Sequence, residues 1–85
     1  MKPSLYSSHY DQLRSWMKQK REESGLSLRG VAELMDRHHS VVGKMEQDRR
    51  KIEIVEFIEY CQAIGADPHE GLDVLLASLK RRTRW

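Results

Sequence analysis

The sequence predicts an all-α globule of five helices, and three observations lead there. Five stretches repeat apolar residues at three- and four-residue spacing, the pattern that lines one face of an α-helix. Serine, aspartate, proline and glycine fall at the ends of those stretches, where helices start and stop. No stretch shows the period-two alternation of a half-buried strand. With 85 residues, 39% hydrophobic and 33% charged, the chain makes one small domain with a single core rather than a disordered tail.

Residues 1–9 hold Pro3 and three serines with little apolar periodicity, and they read as a flexible arm. Helical spacing begins at Tyr10 and continues through Leu13, Trp16 and Met17, with Ser8 as a candidate cap. Trp16 and Met17 are expected in the core, because an apolar stripe at this spacing means packing. Gly25 stops the helix, since glycine accepts the left-handed conformation on which helices end. Ser27 caps the second helix, whose apolar face is Val31, Leu34 and Met35. Ala32 sits beside them where two helices must approach. Gly30 lies inside this helix at a cost of up to ~1 kcal/mol relative to alanine.

Asp36, Arg37 and His38 form a turn into a third helix over 38–46, with Val41, Val42 and Met45 inward. Its other side carries His39, Ser40, Gly43 and Lys44, mostly short for a solvated face and suited to a surface that lies close against something. A polar connector follows, containing Arg49, Arg50 and Lys51. The fourth helix places Ile54, Val55, Phe57, Ile58, Cys61 and Ile64 inward and Glu53, Glu56 and Glu59 outward, and Gly65 ends it. Asp67, Pro68 and Glu70 then supply a cap, a first-turn proline and a capping-box glutamate. The fifth helix carries Leu72, Val74, Leu75, Leu76 and Leu79, so the folded domain spans 10–79, and 80–85 form a basic tail.

Net charge is only +2, but it is unevenly spread. Residues 1–25 and 26–51 each carry +2, residues 52–79 carry −6 without one Lys or Arg, and residues 80–85 carry +4. A basic front and an acidic back suit a module that shows one face to phosphates. Several classes fall away. His38 and His39 are adjacent and point ~100° apart on a helix. Neither they nor Cys61 and His69 have the spacing of a metal site, so no metal or cofactor is expected. No nucleophile–base pair or glycine-rich phosphate loop suggests an enzyme. One cysteine allows no intramolecular disulfide, which fits a reducing cytoplasm. The chain shows neither a membrane-span-length apolar run nor a signal-peptide apolar region at its N-terminus.

The two short helices and tight turn between Ser27 and Asp48 outline a helix-turn-helix. This stretch resembles the lambda-repressor/Cro family, also called the xenobiotic-response-element type. Gly25, Leu26 and Ser27 match the family's start; Val31, Ala32 and Met35 match its second helix; Ser40, Val42, Lys44, Met45 and Glu46 match its third. The stretch EIVEFIEYCQAIGADP is similar to the fourth helix and its exit, so the resemblance runs from about Tyr10 to Leu79. The sequence departs from the pattern at Leu28 (glutamine in the family), Asp36 (the turn glycine), His38 (the serine or threonine cap) and Asp48 (the closing glycine).

The resemblance implies a five-helix DNA-binding domain whose third helix enters the major groove, N-terminal residues towards the base edges. It puts His39, Ser40 and Lys44 at base-reading positions, with Val41 and Gly43 letting the helix come close. Arg29, Arg37, His38, Arg49, Arg50 and Lys51 are the phosphate candidates, because backbone contacts need cations flanking the reading helix. Glu46 is expected to tie the third helix to its surroundings. One module reads few bases, so a homodimer on a palindromic operator is expected, joined through Leu72, Leu75, Leu76 and Leu79. The implied function is a prokaryotic-type cytoplasmic repressor, with 85 residues leaving no room for an effector domain. Alternatives are an antitoxin bound to a toxin, a restriction–modification or mobile-element controller, and a protein-interaction module that has lost DNA binding.

Overall fold

Helix boundaries follow the local chemistry closely. The computed structural model describes residues 7–47 and 51–80. It contains α1 (Ser7–Ser24), α2 (Leu28–Met35), α3 (His39–Glu46), α4 (Ile54–Ile64) and α5 (Pro68–Lys80), with no strand among the described residues. Gly25 and Gly65 end α1 and α4 at φ of 80° and 74°, the left-handed region that only glycine enters without a Cβ penalty. The Ser27 hydroxyl accepts the Gly30 N–H at 3.0 Å and starts α2. Asp67 caps α5 by accepting the His69 N–H at 2.9 Å, with Pro68 as the first helical residue. α1 begins at Ser7 rather than at Tyr10, which puts position 8 inside the helix rather than at its start.

One core joins the first four helices. Leu13, Trp16 and Met17 of α1 meet Val31, Ala32 and Met35 of α2, Val42 and Met45 of α3, and Phe57, Tyr60, Cys61 and Ile64 of α4. α5 lies chiefly along α1. It comes close at Gly71, where an added Cβ would sit 2.7 Å from Trp16 and 2.8 Å from Phe57, so the glycine backbone itself packs on the two rings.

Four sequence expectations change here. α4 turns differently: Phe57, Tyr60, Cys61 and Ile64 form its core stripe, while Ile54, Val55 and Ile58 are exposed. Apolar residues occupy most of this helix's circumference, and only one stripe at i, i+3, i+4 and i+7 can face the core. Glu56, expected outward, is 4% exposed because it sits at the edge of that stripe beside Arg37. Leu34 is 62% exposed, since the buried stripe of α2 runs through Val31, Ala32 and Met35. Glu70 does not close a capping box. Its carboxylate accepts the Trp16 indole N–H at 3.1 Å and pairs with Lys20 at 3.2 Å, tying α5 to α1. Gly30 is simply tolerated inside α2, because a Cβ there would make only ordinary contacts at 3.4 Å with Leu26 and Ser27.

Candidate nucleic-acid interface

The geometry of α2 and α3 is set at their junction. Asp36 adopts φ 57° and ψ 45°, the left-handed conformation that aspartate tolerates better than most residues. This lets the Arg37 N–H donate to the Ala32 carbonyl at 2.9 Å and closes α2. His38 then caps α3: its Nδ1 accepts the Ser40 N–H at 3.2 Å, with the Ser40 hydroxyl 2.8 Å from the same nitrogen. An imidazole can replace a serine or threonine cap only through an unprotonated nitrogen, which leaves Nε2 to carry the ring proton. The His38 and His39 rings stack with centroids 4.4 Å apart.

α3 presents two unlike sides. Val42 and Met45 are fully buried, while His39 and Lys44 are exposed and Ser40, Val41 and Gly43 are half-buried. A Cβ at Gly43 would meet nothing within 4 Å, so the domain's own packing does not require glycine there. Its effect is to keep the outer surface of α3 low. Gln47, exposed at the C-terminal end, lies one turn beyond Gly43 and Lys44 on that same outer side. Sequence reasoning passed over it as part of the connector, although its spacing of seven from Ser40 was visible.

The buried end of α3 is braced from two helices. The Arg14 Nε donates to the Met45 carbonyl at 2.8 Å from a buried position. Glu46 receives a fork from Arg21, Nε to Oε2 at 2.7 Å and Nη2 to Oε1 at 3.1 Å, and a third Arg21 nitrogen donates to the Leu26 carbonyl at 3.0 Å. The Tyr60 hydroxyl lies 2.6 Å from Glu46 Oε2 and 3.0 Å from the Met17 carbonyl. Burial, and after it the Glu46 carboxylate, pushes the Tyr60 phenol well above its ordinary range, so it remains a donor. Glu46 is therefore the structural tie expected of it. Arg21 and Tyr60 hold it while Arg14 holds the neighbouring Met45 carbonyl, and the two arginines went unforeseen because arginines in a polar stretch read as surface.

The predicted phosphate set divides. Arg29, Lys44 and Lys51 are exposed and form no ion pair with another described residue. Arg37 does: its guanidinium lies 3.1 Å from Glu59 and 3.6 Å from Glu56. His38 is committed through Nδ1 to the cap. Arg49 and Arg50 lie outside the described residues. Arg29, Arg37, His38 and His39 line a shallow cleft with Ala32 and Glu33, between the exposed side of α2 and the start of α3. Of the expected dimer residues, Leu72 and Leu76 are exposed, while Leu75 and Leu79 are half-buried and Leu75 packs against the core. Cys61 is buried, and that burial pushes its thiol up to about 12, which removes it as a nucleophile.

Two short helices joined through a left-handed residue, the second braced at one end and showing a low polar face outward, define a helix-turn-helix. The sequence pattern of the helix-turn-helix domain family matches residues 12–72, and the chain belongs to that family, in its xenobiotic-response-element (XRE) type of DNA-binding regulators. A solved XRE-family like protein from Pseudomonas syringae pv. tomato str. DC3000 is 28% identical with a TM-score of 0.80, over 87% of this chain and 90% of the other. The clp gene regulator ClgR from C. glutamicum, at 21% identity and a TM-score of 0.73 over 91% and 95% of the two chains, shares the fold. No curated protein gives a match. No helix among the described residues is long and apolar enough to cross a membrane.

Proposed function

We propose that this protein is a sequence-specific repressor that binds a palindromic operator in duplex DNA as a homodimer in the cytoplasm. The observation that carries this is the outer side of α3, where Ser40 and Gly43 lie low between the exposed His39 and Lys44. Laid in the major groove, Lys44 suits guanine O6 and N7, Ser40 takes either a donor or an acceptor, and His39 reads according to tautomer. Val41 meets a thymine methyl group, and Gly43 lets the backbone close in. Arg29 and Lys51, with Arg49 and Arg50, hold the flanking phosphates.

Two copies meet through α5, with Leu72 and Leu76 at the centre and Leu75 and Leu79 behind them. The exposed Ile54, Val55 and Ile58 of α4 favour a wider surface than α5 alone. Two-fold symmetry then spaces the half-sites by about 34 Å or a multiple of it. As regulator, antitoxin or mobile-element controller the protein uses the same DNA face, and only the partner differs.

Binding to a random duplex measured against salt tests this function. Affinity should fall with a log–log slope of about −0.9 per phosphate contact. A flat response, or no binding, would leave a protein-interaction module instead. That outcome has one supporting observation, since Leu28, at the family's polar position, packs against the core. Leu76→Lys should turn the dimer into a monomer in sedimentation, and an unchanged mass would remove α5 from the interface.

A further inference from the structure

Arg37 occupies an unusual place. It stands in the turn between α2 and α3, on the rim of the cleft that also holds Arg29, His38 and His39, yet its charge points at α4. The two carboxylates that receive it differ. Glu56 is buried, its side chain 5% exposed, and lies 3.6 Å from Nη1; Glu59 is 35% exposed and lies 3.1 Å from Nη2. Withdrawing the guanidinium from Glu56 would take a partner from a buried charge, which is costly. Exchanging Glu59 is cheap, because an ion pair that solvent reaches is weak and both ends rehydrate when it opens. The Arg37 side chain, 38% exposed, is itself open to an incoming anion.

We propose that Glu59 and a DNA phosphate compete for the outer arm of Arg37. In the free protein the guanidinium bridges Glu56 and Glu59; in the complex it keeps Glu56 and trades Glu59 for a phosphate at the mouth of the cleft. Arg37 then does two jobs. Through Glu56 it holds the turn that aims α3, and through its exchangeable arm it adds one backbone contact that Glu59 weakens. Glu59 thus acts as a brake on affinity without touching a base. This rests on the DNA-binding function proposed above and deepens it, because it names how the acidic α4 sets the strength of that site.

A double-mutant cycle with Glu59→Gln and Arg37→Gln, read as affinity for one duplex across a salt series, tests it. Glu59→Gln alone should tighten binding roughly two- to five-fold, the worth of an exposed ion pair. In the Arg37→Gln background the same change should have little effect, and the salt slope should be shallower by about 0.9, one phosphate contact. An equal gain in both backgrounds would mean that Glu59 merely repels DNA, and would overturn the competition. Should Arg37→Gln fail to fold, the wild-type protein supplies a second readout. Its Arg37 guanidinium N–H resonance should shift on saturation with duplex, and an unmoved resonance would overturn the proposal. Wild-type protein that shows no salt-dependent binding would refute the DNA-binding function itself, an outcome distinct from a wild type that binds but shows no coupling.

Discussion

Replacing Glu46 with alanine removes the acceptor at the centre of the brace behind α3. The Glu46 side chain is 4% exposed and that of Arg21 is 11%, so the guanidinium is left largely out of water with the Leu26 carbonyl as its remaining acceptor. Breaking a buried pair on one side costs ~3–5 kcal/mol, because the surviving charge keeps its desolvation penalty. Tyr60 softens the loss by turning its proton to the Met17 carbonyl. A net loss of about 3 kcal/mol is expected, a large share of the ~4–13 kcal/mol that ~0.05–0.15 kcal/mol per residue gives a domain of this size. Urea unfolding should show the midpoint falling with an unchanged slope. Arg21→Met combined with Glu46→Leu replaces the pair by apolar groups and should recover most of the loss. A loss under ~1 kcal/mol in Glu46→Ala, or a double variant as weak as the two singles summed, would refute the brace.

Three further outcomes test the packing and the chemistry. Gly71→Ala should destabilise despite its helix propensity, since overpacking Trp16 and Phe57 costs ~1–3 kcal/mol against a gain of at most ~1; a raised melting temperature would contradict the close approach of α5. The Asp67 carboxyl is held below its ordinary range by the His69 side chain and then by the His69 backbone N–H. A depressed folded value gives stability that is present above the unfolded value, near pH 4, and is lost as pH falls through the folded one. Asp67→Ala should therefore lose less stability than wild type as the solution is acidified from pH 5 to pH 2, and parallel acid-unfolding curves would remove the cap. Cys61 should react with thiol reagents only as fast as the protein opens. Rapid modification under native conditions would place its sulfur at the surface.

Most helix ends were readable because their chemistry is local; the start of α1 and the role of Glu70 were not. Gly25, Ser27, Gly65, Asp67 and Pro68 each act within a turn of their own position, and each does what its residue type allows. The face that a helix turns inward depends on its neighbours, and there sequence reasoning failed. In α4, Ile54, Val55 and Ile58 are as apolar as Phe57 and Ile64, so periodicity alone could not choose the stripe. Glu56 and Tyr60 joined the buried side because Arg37 and Glu46 were waiting for them. Leu34 misled in the same way on α2. The outer side of α3 was legible, since short residues in place of long charged ones are visible in sequence. The cations were only half so: Arg14 and Arg21 serve α3 from within and Arg37 is shared with α4, pairings that join residues as far as 31 positions apart.

The central claim is that the outer side of α3 reads base pairs, and Lys44 is the residue on it whose role can be separated most sharply from phosphate binding. The direct measurement takes a duplex selected from a random pool, changes each base pair singly, and compares the affinities of wild type and Lys44→Ala. Loss of the lysine should cost ~1–3 kcal/mol on the selected site and abolish discrimination at one base pair in each half-site, leaving the others intact. A uniform weakening across every variant duplex would make Lys44 a phosphate contact and contradict the account.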